Sequence, residues 1–203
     1  MRPRRWLTGW AVAVVVWLVA VRCEAQTVQM TPFSPALPKP CWPAHLLKGR
    51  DTAWRYVPCR SLDVLHPVVR KKIECMLARQ RKGGWQPLVQ ETRRSQELQS
   101  AYYAKGRTLP GPRVTNIKTV ANGFHGFGLG ADVISATKGW SDPKFFYWQA
   151  QHAEACGLVA GYFWKSFSDP PHVQYAGWGN SPPLWARRLL ADSLPMIWQT
   201  IKE

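Results

Sequence analysis

The sequence predicts an α+β fold: a compact single domain with a small, mostly antiparallel sheet and helices packed on it. Helical apolar spacing and short strand-length windows follow one another without internal repeat. With 203 residues, 46% hydrophobic and 19% charged, the chain can fill one core and at most two small ones, which excludes a long multidomain enzyme. The apolar residues are spread along the chain, which excludes a polytopic membrane protein.

The first segment reads as a secretory signal peptide. Arg2, Arg4 and Arg5 form a positive start, Leu7 to Val21 is apolar but for Thr8 and Gly9, and Cys23-Glu24-Ala25 offers a small-x-small cleavage site before Gln26. The competing reading, an uncleaved anchor, meets an apolar stretch shorter than the roughly 20 residues of a spanning helix. Cleavage after residue 25 lowers the net charge from +15 by three, to +12, so the basic character belongs to the folded part. It also leaves Cys41, Cys59, Cys75 and Cys156, an even number suited to an oxidising compartment. Of the three possible pairings, Cys41 with Cys59 and Cys75 with Cys156 is preferred, since the first two share one arm and the last two lie in predicted helices. A zinc ribbon is disfavoured because no Cys-x-x-Cys is present.

Residues 26–60 carry Pro32, Pro35, Pro38, Pro40, Pro43 and Pro58 without a sustained period, and predict an extended arm. Val69, Ile73, Met76 and Leu77 recur at helical spacing from His66 to Lys82, with Pro67 suited to the first turn and Gly83-Gly84 to the stop. A strand over Gln86 to Thr92 follows, then a helix from Ser95, its cap, to Lys105, ended by Gly106. Residues 111–123 are loop-like. Gly128 to Ile134 reads as a strand, and Ser141-Asp142-Pro143 opens a helix to Cys156. Two short strands are expected at Leu158 to Trp164 and His172 to Tyr175, around the polar turn Ser166 to Pro171. Leu184 to Ile201 predicts one more helix, interrupted by Pro195. The main domain spans residues 61–180, with 181–203 a helical extension.

Five histidines occur, and two sit near carboxylates in polar or Gly-rich segments: His125 before Asp132, and His172 after Asp169. A hydrolytic zinc centre takes three protein ligands of the His/His/carboxylate kind and keeps one position open, and His125, Asp132 and His172 supply that set. Asp169 is left to take a proton from an attacking water and return it to a leaving amine. On spacing alone this reading stands level with one in which both histidines are surface or capped residues, because no His-Glu-x-x-His is present. His152 sits at helical spacing from Trp148 and Cys156 and reads as a packed residue, and His66 as part of a helix start. Phe145, Phe146, Trp148 and Trp164 are expected in the core, with Trp178 or Trp185 free to contact glycan. The basic residues at 70–72 and 79–82 read as a solvated helix face.

Taken together, Glu91-Thr-Arg-Arg94-Ser95-Gln-Glu-Leu-Gln99, Tyr103-Ala-Lys-Gly106-Arg107-Thr108, Gly111-Pro112, Val114-Thr115-Asn116, His125-Gly-Phe-Gly128-Leu-Gly-Ala-Asp132-Val133 and Asp169-Pro-Pro-His172-Val-Gln174 resemble the D-alanyl-D-alanine carboxypeptidase and L-alanyl-D-glutamate peptidase family of zinc peptidases, nearest its phage-endolysin-like branch. The likeness runs from about Leu62 to Tyr175. It implies zinc at the sheet on His125, Asp132 and His172, Asp169 as acid and base, Arg94 steadying the scissile carbonyl and its developing oxyanion, and Ser95 and Gln99 in supporting, substrate-side places. Gly123, Arg93 and Gly130 replace the family's usual Ser, Tyr and Ala, and Ala160 to Phe163 replaces a Trp-Gly-Gly-Asp-like run. None of these removes a ligand; they bear on substrate preference.

The resemblance implies an exported enzyme of the periplasm or cell wall that cuts peptidoglycan stem peptides, either at a terminal D-alanine or at the L-Ala to D-Glu bond. The charge agrees, since a strongly basic protein is drawn to carboxylate-bearing polymers. The reading is of a monomer with no membrane partner once the signal is removed. Nucleic acid is disfavoured because aromatic and basic residues do not interleave. The rival from another class is a non-catalytic wall-binding module on the same scaffold.

Overall fold

The computed structural model describes residue 41, residues 53–190 and residues 193–202. The expected signal peptide and most of the Pro-rich arm lie outside the described residues. Among the described residues no helix is long and apolar enough to cross a membrane.

Helix α1, Pro67–Lys82, is fixed at both ends by its own sequence. His66 caps it, its Nδ1 accepting from the Val68 N–H at 3.2 Å, while Nε2–H donates to the Trp198 carbonyl at 3.0 Å. Val69, Ile73, Met76, Leu77 and Gln80 form its buried stripe, and Gly83 ends it. Strand β1, Pro87–Glu91, precedes α2, Gln96–Ala104, where Ser95 Oγ accepts from the Leu98 N–H at 3.1 Å. Short 3-10 turns at Val120–Asn122 and Phe124–Phe127 lead into β2, Gly130–Ser135. Helix α3, Pro143–Ala155, is capped by Asp142, whose Oδ1 accepts from the Phe145 N–H. Strands β3, Leu158–Ala160, and β4, His172–Tyr175, complete a four-stranded antiparallel sheet in the order β1-β2-β4-β3. The α+β class expected from the sequence is the one found.

The sheet's two faces divide the labour. Ala131, Val133 and Val173 join the apolar cluster with α1 and α3, while the alternate residues point the other way. There the register sets Glu91 opposite Asp132 and Asp132 opposite His172, a polar row across three adjacent strands. A bulge between Val89 and Glu91 brings Glu91 into that row.

Three expectations are corrected. The strand predicted to reach Trp164 stops at Ala160, because the Gly161 carbonyl is taken by the N–H groups of Asp169 (3.0 Å) and Trp164 (3.2 Å), and the chain turns over Gly161–Phe163. Trp148, expected in the core, is 45% exposed, since α3 turns Phe145, Phe146, Gln149, Ala150 and Ala153 inward. Trp178 is half-buried against Phe127 and Tyr175, leaving Trp185 as the more exposed of the C-terminal pair.

The predicted C-terminal helix is two short ones, α4 at Leu184–Leu189 and α5 at Leu194–Trp198, with Pro195 in the first turn of the second, where its missing N–H costs nothing. This segment contributes Ala186, Leu194, Ile197, Trp198 and Ile201 to the same core, and the Trp198 indole N–H donates to the Phe127 carbonyl at 2.7 Å.

Both disulfides are the preferred pairs, Cys41 to Cys59 and Cys75 to Cys156, with Cα separations of 5.8 and 6.1 Å. The second ties α1 to the end of α3 across 81 residues of chain. Closing a loop of that length removes unfolded-state entropy worth about 4.5 kcal/mol. A Cys75→Ala/Cys156→Ala variant is therefore expected to lose about that much stability in denaturant titration; a loss under about 1 kcal/mol would contradict the account.

Candidate metal centre

Each member of the centre is placed by backbone hydrogen bonds that run far along the sequence. His125 lies in the 3-10 turn before β2; its Nδ1–H donates to the Thr92 carbonyl at 2.6 Å, which leaves Nε2 as the lone-pair nitrogen. Thr92 is itself held, its N–H donating to the Cys59 carbonyl at 2.6 Å and its hydroxyl to the Cys59 and Ser61 carbonyls. His172, on β4, donates from Nε2–H to Gln174 Oε1 at 3.1 Å, and Gln174 is oriented by its own bond to the Gly179 carbonyl at 2.7 Å. Its Nδ1 is thus the free nitrogen. Gly130 leaves room for this ring: a Cβ there would lie 3.2 Å from His172 Cε1 and 3.1 Å from Phe124 Cβ.

The free nitrogens meet Asp132. His125 Nε2 and His172 Nδ1 are 3.2 Å apart, and they stand 3.2 and 3.0 Å from Asp132 Oδ1. An ion bound tetrahedrally at about 2.0–2.1 Å from each ligand spaces the ligand atoms about 3.3 Å apart, close to what is found. Two imidazole lone pairs and a carboxylate oxygen turned on one another repel unless a cation or a shared proton lies between them. The donor set therefore fits a metal ion, and its second layer of acceptors fixes both rings in the required tautomer. A proton shared among the three groups can stand in for the cation, and their proton affinities reflect it. Burial alone would raise the Asp132 carboxyl, yet the two imidazoles hold it well below the usual range; His172 is disfavoured as a cation by burial, yet the Asp132 carboxylate pulls its value up.

Asp169 lines the same cavity, of about 360 Å³, and is not among the three grouped ligands. Burial pushes its carboxyl above the ordinary value. The turn that carries it is tightly held: the Asp169 carbonyl accepts from the His172 N–H at 3.1 Å, and Gln149, fully buried on α3, donates to the Pro171 carbonyl at 2.9 Å. Gly161 permits the approach, since a Cβ there would sit 2.5 Å from the Asp169 carbonyl oxygen.

Arg94 faces the cavity with most of its donors engaged. Nε and Nη2 grip Glu91 at 2.8 and 2.6 Å, Nη1 donates to Gln99 Oε1 at 2.9 Å, and Nη2 reaches Asp132 Oδ2 at 3.5 Å. Gln99 lines the cavity and donates to the Ile117 carbonyl. Ser95 is placed differently. It caps α2, donates to the Arg55 carbonyl, and is not among the cavity-lining residues. Sequence reasoning gave no role to Glu91, Tyr102, Gln149 or Gln174, and assigned Trp164 to the core although it lines the cavity. The spacing of Glu91 three residues before Arg94, at a strand end, was the one available signal for the first.

The fold and the donor set define a class: an α+β scaffold that gathers at its sheet a His/Asp/His group able to hold a metal, with a further carboxylate on the same cavity. No family model matches the chain. Among curated proteins it is similar to the peptidoglycan L-alanyl-D-glutamate endopeptidase CwlK of Bacillus subtilis (strain 168), with 28% identity over 129 residues, 54% of this chain and 72% of that protein. Among solved structures it aligns with the L-Ala D-Glu endopeptidase ChiX of Serratia marcescens at a TM-score of 0.45 and 21% identity, over 56% of this chain and 82% of that one. It also aligns with the LD-carboxypeptidase LdcB at a TM-score of 0.40 and 15% identity, over 68% and 70% of the two chains. The sequence match is in line with the motif order's resemblance to the D-alanyl-D-alanine carboxypeptidase and L-alanyl-D-glutamate peptidase family.

Proposed function

We propose that this protein is an exported zinc peptidase that hydrolyses the stem peptides of peptidoglycan in the periplasm or cell wall. The observation that carries the reading is the convergence of His125 Nε2, Asp132 Oδ1 and His172 Nδ1 at about 3 Å from one another, with Asp169 on the same cavity wall. The relative's activity favours the L-Ala to D-Glu bond over a terminal D-alanine.

A zinc ion held by those three atoms would supply Lewis acidity for the peptide carbonyl and a lowered pKa for a water. The chain's own residues do the rest. Asp169 takes a proton as water adds to the carbonyl carbon, and hands it to the departing amine as the C–N bond breaks. Its burial-raised pKa suits a group that must both hold and release a proton. Arg94, at the cavity wall, favours the negative charge that appears on the carbonyl oxygen, with Glu91 and Gln99 keeping its plane fixed. Thr92 and Gln174 keep the two imidazoles oriented.

Purified muropeptides digested with and without a chelator, then weighed by mass spectrometry, test the reading. Metal-dependent release at one stem-peptide bond, absent in a His125→Ala/His172→Ala variant that has lost its metal, is the expected result. Retention of wall sacculi by zinc-loaded protein with no cleavage would replace the peptidase by a wall-binding module.

A further inference from the structure

The cavity wall holds two strong cations, and their surroundings differ. Arg94 is gripped by the Glu91 carboxylate through two hydrogen bonds and is buried with it. Lys105 is exposed at the C-terminal end of α2, and among the described residues no carboxylate pairs with it. Its Nζ lies instead 5.8 Å from the centre of the Tyr102 ring, whose centre is 4.9 Å from the Arg94 guanidinium carbon. Tyr102 thus lies near both a paired cation and an unpaired one. It lines the cavity too, and its hydroxyl, pushed up to about 12 chiefly by burial, stays protonated and able to donate.

The rest of the wall sharpens the contrast. Of the carboxylates on the wall, Glu91 is neutralised by Arg94 and Asp132 belongs to the donor set, which leaves Asp169 as the one that repels a substrate carboxylate. With Arg94 paired to Glu91 and turned to the scissile carbonyl, Lys105 is the basic side chain of the wall left for a second acid group of the substrate. We propose that Lys105, aided by the Tyr102 hydroxyl of the same cavity wall, receives a free carboxylate of the substrate, so that the cavity selects acidic peptides with the acid group on the α2 side of the scissile bond. This rests on the peptidase reading above and names the feature by which that site chooses its substrate.

Two peptides decide it: a synthetic stem peptide with its free carboxylates, and the same peptide with the carboxylate next to the scissile bond amidated. The full-length zinc-loaded protein is assayed for cleavage of both, and the Asp169→Asn variant for binding of both by calorimetry. The parent is expected to favour the acid over the amide about tenfold or more in kcat/KM, mostly through KM, as a charge-assisted contact implies. Lys105→Met should bring that ratio to about one, and Lys105→Arg should restore most of it. A merely structural role for Lys105 would lower both substrates together and leave the ratio in place, and that result overturns the proposal. Cleavage of both peptides at equal rates whatever stands at position 105 keeps the peptidase and removes the carboxylate site. Binding that depends on Lys105 and on the free acid, without cleavage, keeps the site and removes the peptidase.

Discussion

Exchanging Asp169 for asparagine is expected to slow stem-peptide hydrolysis by a factor on the order of 10²–10⁴ while the metal content and the unfolding midpoint stay near those of the parent. Asparagine keeps the size and polarity of the side chain, and the turn itself is held by backbone groups: the Asp169 N–H to the Gly161 carbonyl, the Asp169 carbonyl to the His172 N–H, and the Pro171 carbonyl to Gln149. What the substitution removes is a proton acceptor beside the donor set. Single-turnover assays with metal analysis on the same samples separate the two effects. Cleavage at the parent's rate would remove Asp169 from the chemistry, and loss of the metal would make it a ligand.

The second large effect concerns stability. Glu91 and Arg94 are almost wholly buried and grip each other through two hydrogen bonds. Glu91→Gln leaves a buried guanidinium without its carboxylate, which costs about 3–5 kcal/mol. The double variant Glu91→Gln/Arg94→Met should lose less than the two single variants added together, because no charge is then left behind. Urea titrations of the four proteins measure this. Strict additivity would mean that the pair carries no coupling and that Arg94 is held by Gln99 and Asp132 instead.

Why the first three helices were legible and the Glu91–Arg94 pair was not follows from how far apart the determining residues lie. His66, Ser95 and Asp142 cap their helices through atoms two or three residues away, so each start can be read locally. The three residues of the donor set, which could hold a metal, stood out by the order of their motifs, a signal that needs no geometry. Glu91, in contrast, enters the site through a bulge and a strand register that join residues about 40 positions apart. The stop of β3 at Ala160 has the same kind of cause, since the Gly161 carbonyl is taken by Asp169. Trp148 misled for a different reason. Gln149 occupies the inward position on α3 because its amide holds the Pro171 carbonyl, and a polar residue in the core turns the aromatic beside it to the surface.

The row Glu91, Asp132, His172 has a consequence for how the chain reaches its native state. Side chains alternate between faces along each strand, so a slip of one residue at β2 or β4 would turn valine and alanine toward the cavity and bury the ligands among the helices. Only one alignment of the strands assembles the donor set. An ion that binds that alignment alone adds stability to it and to no other, about 2.7 kcal/mol when present at a hundred times its dissociation constant. With an ion bound, the centre would act as a proofreader of strand alignment: metal uptake would reward chains whose sheet is correctly registered and withhold that stability from those that are not.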